Sequence, residues 1–111
     1  RRDGTLLLRT DRSVYRVGQS VSIDLLARGS RGRAYVDVVR NGRTIHMSSV
    51  ELADGAGHLD LDLPADLVGL LEIHAYRFGP QGSIVGDRRL VLSLLCARER
   101  ERAGDEEHEY Q

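Results

Sequence analysis

Apolar and polar residues alternate with a period of two through most of the first 95 residues, and that period predicts strands. Val21, Ile23 and Leu25 alternate with Ser20, Ser22 and Asp24, so residues 20–27 read as a strand with one wet face. Leu59, Leu61 and Leu63 alternate with His58, Asp60 and Asp62. A one-residue slip there would bury two carboxylates and a histidine, so the register is well specified. Leu71, Ile73 and Ala75 alternate with Glu72, His74 and Tyr76 in the same way. Residues 5–10 form a short apolar run that suits a first strand, although either sheet could take it. Residues 34–40 are rich in β-branched and aromatic side chains and read as another strand. Its partner begins at Arg43 and continues toward Val50 and Leu52, and a last strand covers residues 83–94. In that last strand Ile84-Val85 and Leu90, Leu92 and Leu94 do not share one phase, which predicts a bulge at Gly86-Asp87.

Turn chemistry separates these runs. Asn41-Gly42 marks a tight hairpin, because a type I′ turn needs positive φ at both central residues. Asp54-Gly55 and Gly79-Pro80-Gln81-Gly82 mark two more turns. Pro64 stops the strand before it, and residues 64–69 make a corner with room for one helical turn. Residues 11–19 read as a turn that feeds a strand. Asp11 and Ser13 can bond backbone amides there. Tyr15 suits the edge where a strand meets the core, and Gly18 supplies a backbone angle other residues resist. Seven short strands with turns between them and no helical period argue an all-β, seven-stranded antiparallel β-sandwich, with a closed barrel as the alternative.

Composition refines this picture in three places. A length of 111 residues fits one domain. With no tryptophan and one phenylalanine, its core is built mostly from Leu, Val and Ile. All 16 basic residues are arginine, yet the net charge is −1, which gives no overall drive toward nucleic acid. Residues 97–111 hold three arginines and six acids, with little apolar surface to bury. The expected organisation is therefore a β-sandwich over residues 1–95 and a polar, disordered or frayed-helical tail over 96–111. The single Cys96 cannot form an intramolecular disulfide. No stretch reaches the length of a membrane span and no signal peptide is present. The chain starts at Arg1 and reads as a piece of a longer protein.

Candidate chemistry is thin. His58, Asp60 and Asp62 share one outward face and offer imidazole and oxygen donors to a divalent cation. The plainer reading is the solvated face of a half-buried strand. Glu72 and His74 form a second pair on another outer face, and His46 reads as a surface strand residue. No serine lies in a Gly-x-Ser-x-Gly elbow. Cys96, between Leu94-Leu95 and a charged run, reads as a small apolar residue rather than a reactive thiol. The loop over residues 28–33 carries arginines without interleaved aromatics and reads as a soluble loop rather than a nucleic-acid patch. No catalytic, metal-binding or cofactor-binding residue is assigned, and the chain is expected not to be an enzyme.

One resemblance goes further. Asp11-Arg12-Ser13-Val14-Tyr15-Arg16-Val17-Gly18-Gln19 is similar to the Asp-Lys-x-x-Tyr-x-Pro-Gly-Gln opening of macroglobulin domains in the α2-macroglobulin family, with Arg12 for lysine and Val17 for proline. Tyr35-Val36-Asp37-Val38-Val39-Arg40-Asn41-Gly42 resembles the hairpin of these domains. The segment from Asp66 to Tyr76 resembles their Ala-Tyr strand, and that from Gly82 to Val91 their closing strand. The four matches fall in the right order across residues 5–94. The resemblance implies an immunoglobulin- or fibronectin-type-III-like sandwich. Such a domain would serve as a structural part of a larger endopeptidase inhibitor, near its bait region, in an extracytoplasmic setting. Its partners would be neighbouring domains of the same chain, with target proteases met only through the full-length parent. No cofactor, nucleic acid or membrane insertion is implied. The family's Cys-Gly-Glu-Gln thioester is missing, since Cys96 stands in Cys-Ala-Arg-Glu, and no bait-like segment interrupts the domain. An independent adhesion or ligand-binding module is the alternative. Few surface aromatics are expected, which favours the structural role over a binding one.

Overall fold

The computed structural model describes residues 5–28 and 31–95. Eight strands follow one another: β1 (Leu7–Thr10), β2 (Val14–Arg16), β3 (Ser20–Leu26), β4 (Gly32–Arg40), β5 (Arg43–Leu52), β6 (Ala56–Asp62), β7 (Gly69–Phe78) and β8 (Ile84–Leu94). They build a three-stranded sheet in the order β1-β3-β6 and a five-stranded sheet in the order β2-β8-β7-β4-β5. The fold is the all-β, two-sheet sandwich that the alternation predicts. It has eight strands rather than seven, and one pair, β2 with β8, is parallel.

The extra strand comes from the stretch between Asp11 and Gln19. Tyr15 is apolar over its ring and is 1% exposed. Burying that ring draws Val14–Arg16 out of line with β1 and onto β8, so the chain changes sheets twice within ten residues. The first strand's ambiguous placement is thereby resolved: β1 joins the small sheet and β2 the large one. The crossing is held by hydrogen bonds. Asp11 Oδ1 accepts from the Tyr15 hydroxyl at 2.5 Å and from the Ser22 amide at 2.9 Å. The Arg12 amide donates to the Tyr15 oxygen at 2.9 Å. After Gly18, whose φ is +93°, the Gly18 amide donates to the Leu63 carbonyl at 2.7 Å. That bond brings the start of β3 to the end of β6.

Between the sheets lies a core of aliphatic side chains, with Val21, Ile23 and Leu25 from one sheet facing Val36, Val38, Leu71 and Ile73 from the other. Each is at most 1% exposed, so each contributes about 1.5–3 kcal/mol of transfer free energy. Both predicted Asx-Gly turns form with positive φ at both central residues: Asn41 and Gly42 at 54° and 76°, Asp54 and Gly55 at 54° and 79°. The second carries the chain from β5 in the large sheet to β6 in the small one. There a Cβ on Gly55 would stand 2.9 Å from the Ala27 carbonyl oxygen, so only glycine fits.

Two expectations change, and one irregularity is new. The β7–β8 register runs unbroken from Phe78–Ile84 to Gly69–Ser93, so no bulge lies at Gly86-Asp87. The phase conflict in β8 arises because its apolar residues occupy both faces: Val85 and Val91 point inward, Ile84, Leu90 and Leu92 outward. A register shift does occur between β4 and β5, where Ile45 is the extra residue. It turns Ile45 toward the core beside Val50. Residues 64–69 form a turn closed by the Leu67 amide on the Pro64 carbonyl at 2.9 Å, not a helical turn. The readings for Gly29, Ser30, Cys96 and the tail after it lie outside the described residues.

Candidate functional site

The histidine face of β6 is assembled differently from a metal site. His58 Nδ1 lies 2.8 Å from Asp24 Oδ1 and Nε2 lies 2.9 Å from Asp60 Oδ1. A carboxylate on each ring nitrogen favours the charged form of the imidazole. Its pKa is raised above the usual histidine value, first by Asp24 and then by Asp60. Asp62 is not part of this cluster, since its Oδ1 accepts from the Ser20 hydroxyl at 2.6 Å. Among the described residues no group of three or more His, Cys, Asp or Glu side chains is placed to hold a metal ion. Asp24 is the partner that strand-by-strand reading missed. It sits on β3 directly opposite His58, and only the β3–β6 register reveals it.

His46 Nε2 and the Ser48 hydroxyl lie 3.0 Å apart on the edge strand β5. The pair is exposed, and no described residue orients the other ring nitrogen, so it lacks the third member that makes such a serine nucleophilic. Ser93 is fully buried, and its Oγ has no hydrogen-bond partner among the described residues. It is a core residue rather than a nucleophile.

The outer face of the five-stranded sheet is the unusual surface. Nine large hydrophobic side chains are exposed among the described residues, and seven of them project from this face. The other two, Leu7 and Leu26, are a cross-strand pair on the small sheet. At one end of the large face Val14, Leu92 and Leu70 form a row across β2, β8 and β7, with Leu90 beside it. At the other end Phe78 pairs with Ile84, and they are 58% and 66% exposed. Phe78 meets Tyr35 and Tyr76 at ring-centroid distances of 5.9 and 6.1 Å, and the two tyrosines stack at 5.6 Å. Burial, and then the neighbouring Asp37 carboxylate, raises the Tyr76 phenol above its usual pKa.

A polar row divides the two apolar ends. Glu72 Oε1 lies 2.7 Å from His74 Nε2 and 3.7 Å from Arg88 Nη1. The Glu72–His74 pair was legible from their spacing in the chain. Arg88 enters only through the β7–β8 register, which sets it opposite His74. Gly86 sits opposite Tyr76, and without a side chain it leaves an open groove of about 600 Å³ lined by Tyr76, His74, Ile84 and Arg88. A Cβ on Gly86 would come within 2.7 Å of the Ala75 carbonyl oxygen. Surface aromatics are few, as expected, but the pairing of β4 with β7 gathers three of them into one cluster.

No protein-family model matches the chain, and no curated protein matches it with significance. Among solved structures it is similar to a superoxide reductase (neelaredoxin) from Ignicoccus hospitalis, with a TM-score of 0.60 and 10% identity over 80% of either chain. It is also similar to an engineered protein, with a TM-score of 0.59 and 13% identity over 84% of this chain and 21% of that one. Spo0M, a sporulation control protein from Bacillus subtilis, gives a TM-score of 0.57 and 14% identity over 80% of this chain and 48% of that one. The chain therefore spans about a fifth and about half of the latter two. None of the three is a macroglobulin domain. At these identities the likeness is one of fold alone: a small two-sheet β-sandwich.

Proposed function

We propose that this chain is a non-catalytic structural module of a larger extracytoplasmic protein, and that it holds protein neighbours against the outer face of its five-stranded sheet. The observation that carries the reading is the concentration of exposed aliphatic and aromatic side chains on that one face, in two apolar zones separated by the Glu72–His74–Arg88 row. Apolar side chains exposed together on one face in this way mark interaction sites in folded proteins. The finer form of the reading, a frame domain of an α2-macroglobulin-like endopeptidase inhibitor, rests on the sequence resemblance. In support, the matched residues Asp11, Tyr15, Gly18 and Gln19 all take part in the sheet-crossing corner. The Tyr35–Tyr76–Phe78 cluster beside an open groove favours a second reading, an independent ligand-binding module. A redox activity like that named for the Ignicoccus protein finds no gathered ligand set among the described residues.

Hydroxyl-radical footprinting tests the docking reading. Oxidation of Leu70, Leu90, Leu92, Phe78 and Ile84 is compared between the isolated chain and the same chain within its full-length parent. Docking predicts strong protection of these side chains in the parent, with Leu7 and Leu26 unchanged. Equal reactivity in both would refute it.

A further inference from the structure

Tyr76 stacks on Tyr35 at 5.6 Å, with the two ring planes 27° apart, so this contact uses one face of the Tyr76 ring. Tyr35 lies on β4, on one side of β7, and Gly86 lies on β8, on the other. The second face of the Tyr76 ring is therefore turned toward Gly86, where no side chain covers it. A Cβ at that position would stand 2.7 Å from the Ala75 carbonyl oxygen and 3.3 Å from Tyr76 Cβ, so the space stays open. Along β8 the neighbouring side chains on this face belong to Ile84 and Arg88, about 13 Å apart along the strand. The result is a slot with an aromatic wall, an apolar end at Ile84 and Phe78, and a polar end at Arg88, His74 and Glu72. We propose that this slot binds a neutral oligosaccharide, with the C–H face of one sugar ring against Tyr76 and its hydroxyls on Arg88 and Glu72.

The lining selects that class of ligand. A cation would need a cage of separated rings, but Tyr35, Tyr76 and Phe78 stand 5.6, 5.9 and 6.1 Å apart and touch one another, which leaves no space between them. A phosphate would meet the carboxylates of Glu72 and Asp87 as well as Arg88 and Arg89, so the slot offers no excess of positive charge. A proline-rich peptide would lay a prolyl ring on Tyr76, but it has no N–H to give to Glu72, and its carbonyls would answer Arg88 alone. A sugar ring meets every part of the slot. Its C–H face is apolar, each hydroxyl both donates and accepts, and it carries no charge. The polar groups are already held in place: Glu72 Oε1 lies 2.7 Å from His74 Nε2 and 3.7 Å from Arg88 Nη1. A guanidinium has several N–H donors and a carboxylate a second oxygen, so both keep capacity for a ligand. The Arg88 side chain is 70% exposed and reaches it freely. The volume of about 600 Å³ lies within the range of small-ligand sites, and the groove is open, so a longer sugar chain extends past the ring that is held.

The proposal rests on the ligand-binding reading above and names the class of ligand. The test is a titration of the isotope-labelled full chain with cellopentaose, chitopentaose and mannopentaose, and separately with a decaproline peptide, followed through backbone amide shifts by NMR. At least one of the three sugars is expected to give saturable shifts at Tyr76, Gly86 and Arg88. Arg88→Ala and Glu72→Gln, neither of which touches the core, are each expected to weaken that binding by about fivefold or more. Tyr76→Val, checked for folding by circular dichroism, is expected to weaken it by about tenfold. Leu70→Ala, at the other end of the sheet, is expected to stay within about twofold of wild type. No saturable shift with any of the three sugars would overturn the proposal. So would shifts that lie away from the slot, or binding indifferent to both Arg88→Ala and Glu72→Gln. Shifts at Tyr76 and Gly86 with decaproline and with no sugar would remove the sugar and leave the ligand-binding reading standing, whereas silence toward all four probes would remove both.

Discussion

Replacing Tyr15 with phenylalanine removes one oxygen from the corner where the chain changes sheets. The ring stays, so no large cavity opens, and the effect isolates the hydroxyl. That oxygen donates to Asp11 Oδ1 at 2.5 Å and accepts from the Arg12 amide at 2.9 Å. Its loss leaves both groups short of a partner. A typical hydrogen bond contributes about 0.5–1.5 kcal/mol net, and more where one partner is charged. Water recovers a part, because the Asp11 side chain is 42% exposed. The expected loss for Tyr15→Phe is therefore about 2 kcal/mol, which lowers Tm by roughly 10 °C in a domain of this size. Urea and thermal unfolding followed by circular dichroism read it directly. A variant within about 0.5 kcal/mol of wild type would refute the reasoning, since that is the range of an ordinary surface change. The pH profile gives a second reading. Burial, followed by the Asp11 hydrogen bond, pushes the Tyr15 phenol up to about 12 from 10.0. Between those values the unfolded chain has lost the proton and the folded chain keeps it, so stability falls as pH rises through that window. Tyr15→Phe should lose this share of the alkaline fall. The Asp11 carboxyl is shifted the other way, below its usual 3.8, chiefly by Tyr15 and then by the Ser22 amide. Its contribution is complete above 3.8 and disappears as pH drops through the lowered value.

Three further outcomes are expected. Proton NMR should show His58 titrating above the usual histidine midpoint of 6.5, with Asp24→Asn lowering that midpoint more than Asp60→Asn. Because the folded pKa is the higher one, the stabilising share of this cluster is full below 6.5 and fades as pH rises through the raised value, and an unshifted midpoint would count against the bridge. Gly86→Ala should destabilise by about 1–3 kcal/mol in denaturant unfolding, because its Cβ meets the Ala75 carbonyl oxygen at 2.7 Å and backbone has to move. Ser93→Ala should leave stability unchanged or raise it by about 1 kcal/mol, since it removes a buried hydroxyl that has no partner among the described residues. A loss of more than that would mean the hydroxyl is satisfied.

Much of the fold was open to a reader of the chain. The alternation around Ile23, Leu61 and Ile73 is local and strict, so it assigns both the strands and their inward faces without knowledge of neighbours. The Asn41-Gly42 and Asp54-Gly55 turns follow from backbone sterics alone. Tyr15 and Asp11 announced a corner, yet not that its middle forms a strand. Three residues carry too little pattern to show a period, and their partner, β8, lies some 78 residues away. The last strand misled for a related reason. A strand with one apolar face alternates cleanly. A strand apolar on both faces looks like a break in phase, and only burial shows that Leu90 and Leu92 face outward while Val91 faces in.

The amino-acid sequence by itself determined the class of fold, the tight turns, and the inward side of each regular strand, because these depend on residues within a few positions of one another. Tertiary structure decided which strands are neighbours and in what register. It set Asp24 against His58, Arg88 beside Glu72, and Tyr35 against Tyr76, pairs between 16 and 41 residues apart in the chain. Ladder hydrogen bonds join backbone groups that every residue carries, so local pattern holds little information about the partner strand. Partner and register are selected by the shared core, which only the whole chain can build.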